Sequence, residues 1–225
     1  MSRPANILEA DYPPTERTRV KRLYDRAHYD RETVHAILDA GFLCHVGYVI
    51  DGQPYVTPTA YWREGEQVYW HGSSASRMLR HLKGRPRVCF TVALMDGLVL
   101  ARSGFHSSVN YRSVMAFGEA EVIEDPTHKL AALEAMMERL VPGRWPTLKP
   151  PSVQELKGTT VVSLALEEVV AKVRSGPPKD EPEDYALDVW AGVVPTATVL
   201  GAPVSDPALK PGIAVPENLD LIRIG

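Results

Sequence analysis

The sequence predicts a mainly β protein of the α+β type, built as a six-stranded antiparallel β-barrel with appended helices. The first observation is a series of about six apolar or alternating segments between residues 42 and 175, separated by tight-turn signals such as Asp51-Gly52. The second is that one short helical pattern interrupts these segments and a longer one follows them. Strands in meander order with helices added at intervals are typical of a small barrel.

The N-terminal part divides into an extended arm and a short helix. Residues 1–28 are polar, carry Pro13-Pro14 and are predicted as an arm. The segment "YDRETVHAILDAG" then predicts a helix that Asp30 caps and Gly41 ends. Its apolar face consists of Val34, Ile37 and Leu38.

Four strands and a helix are predicted next. The strands are "FLCHVGYVI", "PYVTPTAYW", "QVYWHG" and "RVCFTVAL". The helix "SSASRMLRHLKG" lies between the third and fourth strands, with Ser73 or Ser74 as its cap and Gly84 at its end. Pro58 lacks an N–H, so the second strand is expected at an edge or a bulge.

The remaining segments complete the barrel domain, predicted over residues 29–175. Met95-Asp96-Gly97 predicts a turn, and "VNYRSVMAFGEAEVIED" and "TTVVSLALEEVVAKVRSG" each predict one long strand. A helix capped by Asp125 lies between these two strands, with Pro126 in its first turn. Its predicted apolar face is formed by Leu130, Leu133, Met137 and Leu140. Residues 176–225 are Pro-rich and predict a tail that wraps the protein.

The composition excludes several classes of protein. With a net charge of −3 over 225 residues, no general attraction to nucleic acid or an anionic membrane is expected. No segment is long and apolar enough for a membrane span or a leader, so the predicted location is cytoplasmic. Cys44 and Cys89 lie in apolar runs and are expected as buried free thiols. No two histidines have the spacing of a zinc helix, so no metal site is expected.

The segment "YWHGSSASRMLRHL" predicts a site for a phosphate beside an aromatic ring system. A Ser-rich turn that leads into a helix supplies N–H and O–H donors, and Arg77 can contact phosphate oxygens through two N–H groups. The edge expected at Pro58 would leave backbone groups free for the polar rim of a heterocycle. The alternative is a serine-capped surface helix whose arginines are solvated.

Three stretches together resemble the FMN-binding split-barrel superfamily, in its pyridoxamine 5′-phosphate oxidase-like branch that includes nitroimidazole-resistance proteins. They are "GQPYVTPTAYWREGEQVYWHGSSASRMLRHLKGRPRVCFTV", "NYRSVMAFGEAEVIED" and "DVWAGVVPT". The resemblance covers residues 15 to 200 approximately. It implies a six-stranded split barrel that forms a homodimer with two FMN sites at the interface, and a tail that wraps the dimer.

The resemblance also implies site residues. Val56, Thr57, Pro58, Thr59 and Tyr61 would line the isoalloxazine through backbone amides and the two threonine hydroxyls. His71 and Gly72 would lie beside the ring and the ribityl chain, and Ser76 and Arg77 would hold the phosphate. The residues expected to reach the flavin across the dimer interface are Tyr111, Arg112, Ser113 and Trp190.

Some positions depart from the pattern of pyridoxamine phosphate oxidases. Met78 follows Arg77 where these enzymes usually have a lysine, and Tyr61 stands where they have another lysine. The chain ends in "VPENLDLIRIG" rather than in their substrate-binding arginine motif. Oxidation of pyridoxamine phosphate itself is therefore not expected. His71 matches a functional histidine of nitroimidazole-resistance proteins, and two roles stay open for it: proton donor to the substrate, or packing against the flavin.

The predicted function is that of an FMN-dependent oxidoreductase acting on a small organic acceptor such as a nitroaromatic or a quinone. NAD(P)H is a candidate electron donor, and the expected partners are a second copy of the chain and a small molecule. Two alternatives stay open. One is a flavin-binding protein without turnover, which would store or sense flavin, and the other is a haem-binding split barrel that uses His71 or His106.

Overall fold

The computed structural model describes residues 11–225, which form a strongly bent antiparallel sheet with helices packed on it. The strands are β1 Ala27–His28, β2 Leu43–Ile50, β3 Gln53–Glu64, β4 Gln67–Ser73, β5 Arg87–Leu100, β6 Ser108–Glu119, β7 Glu121–Val122, β8 Thr159–Ala165, β9 Glu168–Arg174 and β10 Gly192–Pro195. Their order is β1-β9-β6-β5-β2-β3-β4-β8-β7, and β10 pairs with β5. All pairings between the described strands are antiparallel, so the predicted fold class is confirmed.

The helices begin at side-chain caps, as helices do when the first N–H groups need acceptors. They are α1 Arg31–Ala40, α2 Arg77–Leu82, α3 Pro126–Leu140 and α4 Val153–Gly158. Asp30 caps α1 and Asp125 caps α3, both as predicted. The cap of α2 is Ser76 rather than Ser73 or Ser74. The Ser73 hydroxyl instead accepts a hydrogen bond from Ala75 N (3.3 Å) in the preceding turn.

The predicted long strand over residues 159–176 is two strands that belong to different parts of the sheet. β8 pairs with β4 and β7, whereas β9 pairs with β6 and β1. The chain crosses between them at Leu166 and Glu167, where Leu166 N donates to Glu66 O (2.8 Å). No Gly or Pro marks this corner, because two strands that do not pair with each other need no hairpin turn. Within residues 11–225, the sheet therefore has seven strands of seven or more residues, one more than the six segments read from the sequence.

The predicted turn at Met95-Asp96-Gly97 is a β-bulge inside one strand. The register of β5 against β6 shifts between Met95 and Gly97, and the strand continues to Leu100. The tail uses the carbonyl groups at this bulge: Thr196 donates to Met95 O through its hydroxyl (2.7 Å) and to Asp96 O through its N–H (3.1 Å). β10 thus extends the edge of β5 beyond the end of β2.

Two apolar clusters support the sheet. The larger fills the inside of the bend and includes the fully buried Trp70 and Phe90. The smaller lies under α3, where Trp62 and Tyr69 stack with ring centroids 5.6 Å apart. The face that α3 turns to this cluster is formed by Ala132, Leu133, Ala135 and Met136. Leu130, expected in this face, is 36% exposed. Small Ala132 lets the helix approach the two large aromatic rings.

Both flanking segments are attached to the sheet. Tyr12, in the N-terminal arm, is 2% exposed, and its hydroxyl donates to Glu66 Oε2 (2.6 Å). In the tail, the carboxylate of Asp180 accepts hydrogen bonds from Arg102 N and Ser103 N in the β5–β6 loop. Burial acts to raise the pKa of Asp180, but these donors outweigh it and hold the pKa below its ordinary value.

Cys44 and Cys89 are both free, as expected, but only Cys44 is fully buried. Burial raises the pKa of the Cys44 thiol to about 12, and the thiol donates to Thr59 O (3.4 Å). Cys89 is half-buried, because its side chain lies on the face of the sheet opposite the core. Within residues 11–225, no helix has the length and apolar character that crossing a bilayer requires.

Candidate functional site

The candidate site begins at an open edge of β3. Residues 61–64 of this strand pair with β4, but residues 53–60 pair with β2 only. β4 separates from β3 after Trp70, and its last residues, 71–73, pair with β8 alone. About every second residue of an unpaired strand edge presents both its N–H and its C=O outwards. The prediction of an edge around Pro58 is therefore confirmed, and within residues 11–225 no strand covers it.

Helix α2 and the Ser-rich turn before it lie across this opening. The Arg77 guanidinium lies over the Tyr55 ring of β3, 5.5 Å from its centroid. On the far side, Ser74 N donates to Gly158 O at the end of α4 (2.8 Å). A side chain at Gly72 would meet Leu79 of α2, whose Cδ1 would be 3.1 Å from the added Cβ. The turn and helix are thus held between β3, the end of β4 and the end of α4.

This part of the chain is basic. Between Glu66 and Asp96 there is no acidic residue, whereas α2 and the residues after it carry Arg77, Arg80, Lys83, Arg85 and Arg87. Arg77 is exposed and, within residues 11–225, forms no ion pair with a carboxylate. The Ser76 hydroxyl accepts from Leu79 N (3.1 Å), which leaves its proton for another acceptor. The turn therefore offers a free guanidinium and a hydroxyl donor to an anion.

His71 lies at the end of β4, beside this opening. Its ring is 6.1 Å from Trp62, centroid to centroid, and its Nδ1 is buried with no hydrogen-bond partner among residues 11–225. Burial lowers the pKa of His71, because it removes water from the charged imidazolium, and no carboxylate among residues 11–225 offsets this effect. The imidazole is accordingly neutral near pH 7, with one ring nitrogen as donor and the other as acceptor.

Two residues of β3 are committed to other contacts. Tyr61 is 3% exposed, its N–H donates to Phe42 O (3.1 Å) and its hydroxyl donates to Leu38 O (2.5 Å). It belongs to the core at the point where the β3–β4 pairing begins, and not to the open edge as expected. The Thr57 hydroxyl is hydrogen-bonded to the Tyr48 hydroxyl (3.0 Å). Val56 and Pro58 expose their side chains on the opposite face, and no side-chain partner occupies Thr59 Oγ1 in the described chain.

The other expected site residues lie elsewhere in the same chain. Tyr111, Arg112 and Ser113 are in β6, which β5 and β2 separate from β3. At about 4.8 Å per strand, that is about 14 Å from the open edge. Arg112 forms a bidentate ion pair with Asp96 (2.8 Å), and Ser113 donates to Lys172 O (3.2 Å). These residues could reach a β3 edge only across an interface between two copies of the chain.

Trp190 is likewise remote from the open edge. It lies two residues before β10, whose partner is the far end of β5, and it is 66% exposed. Its ring lies over Gly192, where an added Cβ would come within 2.8 Å of it. Within one chain, the structure therefore brings together the β3 edge, His71, Gly72, Ser76 and Arg77, but not the β6 residues or Trp190.

Sequence reasoning missed Tyr55 and Gly158, the two contacts that position the basic turn. Tyr55 lies in the predicted strand, but nothing in the sequence pairs it with Arg77. Gly158 follows a helical turn, and only the folded chain brings its carbonyl to Ser74. The missing signal is the same in both cases, because the contacts join segments that are distant in sequence.

A sequence model of the pyridoxamine 5′-phosphate oxidase family matches residues 30–173. The chain belongs to this family. The match contains the open edge of β3, the basic turn and β6, and it ends one residue before Arg174. No protein with a curated description matches the chain.

Solved structures of other family members show how far the similarity extends. The flavocytochrome Anf3 from Azotobacter vinelandii is 47% identical, with a TM-score of 0.90, over 94% of this chain and 99% of that chain. The FAD and heme binding protein from Mycobacterium smegmatis is 36% identical, with a TM-score of 0.84, over 88% and 97%. A candidate 5-nitroimidazole antibiotic resistance protein from Bacteroides thetaiotaomicron shares the fold, at 24% identity and a TM-score of 0.56, over 65% and 86%.

Proposed function

We propose that the protein is a flavin-dependent oxidoreductase that binds one flavin per chain at the open edge of β3. The flavin is FMN or the FMN half of FAD, with its phosphate at Ser76 and Arg77. The observation that carries the proposal is the uncovered β3 edge beside an unpaired arginine, in a chain that is similar to a flavocytochrome and an FAD and heme binding protein.

The residues present suit the chemistry of a flavin. The pyrimidine rim of the isoalloxazine has alternating donors and acceptors, which the backbone N–H and C=O groups of residues 53–60 can match. The phosphate is a dianion that needs donors and a positive charge, and the basic turn has both without a competing carboxylate. Tyr55 restrains the Arg77 side chain before binding, which lowers the entropy lost on contact with the phosphate.

A bound flavin would supply the redox chemistry, as a carrier of one or two electrons or of hydride. The protein would bind it, orient it and exclude water from one face of the ring. Because burial lowers the pKa of His71 and so disfavours the imidazolium that would act as a general acid, we assign it a packing and hydrogen-bonding role beside the flavin. The acceptor we propose is a small organic molecule such as a nitroaromatic or a quinone, with NAD(P)H as the electron donor.

We also propose that the protein acts as a homodimer through the outer face of β3, β2, β5 and β6. Two rows of cross-strand neighbours form the middle of this face: Val56, Gly47, Cys89, Phe117, and Pro58, His45, Thr91, Met115. None of these residues is an aspartate, glutamate, lysine or arginine, and Val56 is 67% exposed. An uncharged face of this extent favours association with a second copy. The dimer would carry Tyr111, Arg112, Ser113 and Trp190 of one copy towards the flavin of the other.

A second candidate is that the protein binds haem together with flavin. It is favoured by the two similar structures, whose names include a cytochrome and haem. Of the two histidines considered, His71 suits a ligand role better, because its Nδ1 is buried without a partner in the described chain. His106 lies in the β5–β6 loop, with Nε2 3.7 Å from Glu181 Oε1.

The absorbance spectrum of the purified protein tests these assignments directly. We expect flavin bands near one equivalent per chain, and their identity as FMN or FAD follows from chromatography of the released cofactor. A Soret band that His71→Ala abolishes would establish the haem candidate. A protein that neither retains nor takes up FMN or FAD would refute the proposal.

Turnover separates an oxidoreductase from a flavin-storage or flavin-sensing protein. We expect NADH or NADPH to reduce the bound flavin and a nitroaromatic or quinone to reoxidise it, with many turnovers per flavin. Tight flavin binding with no reduction by either donor would favour the non-catalytic alternative.

A further inference from the structure

Three basic residues in and beside the paired strands β1 and β9 form a second group that the flavin site of the same chain does not use. Arg174 ends β9, and Lys172 lies two residues earlier on the same face of the strand. Arg26 precedes β1, whose Ala27 is the cross-strand partner of Lys172. Tyr111 of β6 is the cross-strand partner of Arg174.

Arg174 is held in a defined position. Its Nη1 donates to Asn110 Oδ1, and the Asn110 amide in turn donates to Gly176 O (3.1 Å). Asn110 is 7% exposed, so burial and the bond to Gly176 hold this amide in place. A guanidinium whose position is fixed in this way is suited to binding a ligand, because little side-chain entropy remains to be lost.

The arrangement is electrostatically unfavourable without a ligand. No ion pair between a carboxylate and Arg26, Lys172 or Arg174 exists among residues 11–225. Partial burial and the positive charge of Arg26 lower the pKa of Arg174. Cations placed together without an anion destabilise a fold, and such arrangements are typical of binding sites.

The floor next to the cations is apolar and aromatic. Tyr111 pairs on its other side with Met95, which is 53% exposed. A ligand whose oxyanion contacts Arg174 would therefore place its next atoms on Tyr111 and Met95. This combination suits an organic anion better than a simple inorganic ion.

We propose that Arg26, Lys172 and Arg174 form a binding site for the phosphate or carboxylate group of a small organic anion, whose remaining atoms pack on Tyr111 and Met95. Two sources can supply this oxyanion. One is the phosphate of a flavin held by a second copy of the chain, a source that rests on the function and dimer proposed above. The other is a free anionic substrate, which needs neither of them.

Titration with inorganic phosphate at constant ionic strength tests the site. Because Ser76 and Arg77 are proposed to bind phosphate too, the measurement is made in Arg77→Gln protein by calorimetry. We expect one remaining class of sites in Arg77→Gln, and a loss of at least about tenfold in its affinity in Arg77→Gln/Arg174→Gln. Arg85→Gln in the same background is the matched control, since it removes an exposed arginine from the loop between α2 and β5.

The proposal is overturned if Arg77→Gln protein binds no phosphate, if the second substitution leaves binding unchanged, or if Arg85→Gln reduces it equally. The thermal midpoint in phosphate-free buffer adds a second readout. We expect it to stay level or rise in Arg174→Gln, because a desolvated cation beside Arg26 is removed. A fall in the midpoint together with unchanged phosphate binding would assign Arg174 a purely structural role.

Flavin affinities of the Arg174→Gln variant distinguish the two sources. A loss of about tenfold or more for FMN, with riboflavin unchanged, identifies the flavin phosphate of a second copy. Unchanged FMN affinity with loss of phosphate binding identifies a free anion. Failure of the proposed flavin site is a separate result, because it would appear as unchanged FMN affinity in the Arg77→Gln variant.

Discussion

Replacement of Arg77 by alanine should weaken the binding of FMN and leave the binding of riboflavin almost unchanged. Arg77 is exposed and forms no ion pair in the described chain, so its removal leaves no buried charge and should not unfold the protein. A solvated surface pair would contribute about 0–1 kcal/mol. A charge-assisted hydrogen bond from a guanidinium to a phosphate contributes about 1.5–3 kcal/mol. Because Tyr55 already orders this side chain, we expect the second range, or roughly a 10- to 150-fold loss of affinity.

The assay is a flavin titration followed by the quenching of flavin fluorescence, with FMN, FAD and riboflavin on apoprotein. Arg80→Ala is the control, since it removes the same charge from the same helix without the contact to Tyr55. We expect it to change FMN affinity less than about threefold, as a solvated charge would. Tyr55→Leu should weaken the binding of FMN by about 0.5–1 kcal/mol, the range of an exposed cation–π contact.

Two results would refute this reasoning. Equal losses for FMN and riboflavin in Arg77→Ala would mean that the arginine does not contact the phosphate. Equal losses in Arg77→Ala and Arg80→Ala would mean that only the general positive charge of α2 matters. A loss for FMN that FAD does not share would show that the two cofactors bind differently.

Four further outcomes follow from particular contacts. His71→Ala should weaken flavin binding but change turnover per bound flavin less than about threefold in stopped-flow assays; a 10²-fold loss of turnover would restore the general-acid role. Val56→Arg should shift the protein towards the monomer in analytical ultracentrifugation, whereas Val153→Arg, at an equally exposed valine of α4, should not; equal effects would exclude the β3 face. Gly97→Val should release β10 and raise amide exchange there, because an added Cβ lies 3.0 Å from Val193 Cγ1 and Val194 O; unchanged exchange would contradict this contact. Hydrogen bonds from Ser152 hold the pKa of Glu155 at about 2, so the stability that Glu155 contributes is complete above its ordinary pKa of 4.5 and is lost as the pH falls towards 2. Glu155→Gln should make the midpoint of urea unfolding depend less on pH over that range, and an unchanged pH dependence would contradict this.

Local chemistry let the sequence predict the parts of the fold that single segments encode. The aspartate caps at Asp30 and Asp125 were predictable because each cap needs only its own next turn. The hairpin at Asp51-Gly52 was predictable because both residues have positive φ, which this dipeptide tolerates. The open edge of β3 was predictable from Pro58, which has no N–H to give to a neighbouring strand. The family and the basic turn likewise came from contiguous motifs.

The sequence did not predict features that depend on which segments become neighbours. The corner at Leu166 and Glu167 has no turn residues, because its two strands pair with different partners. The Met95–Gly97 segment has the composition of a turn, but pairing with β6 and β10 makes it a bulge. In α3, Leu133 packs against Trp62 and Tyr69 as predicted, but Leu130 does not, because the position of these two rings decides which face of the helix is covered.

The same division applies to the candidate sites. His71, Gly72, Ser76 and Arg77 lie within seven residues, so the sequence by itself determined that they are close together and basic in character. The family resemblance placed Tyr61 with them, but the pairing of β3 turns its side chain into the core. Arg26 and Arg174 are about 150 residues apart in the sequence, and only the pairing of β1 with β9 brings them together. Tertiary structure decided these contacts because the energies that bring distant segments together arise only when the whole sheet has formed.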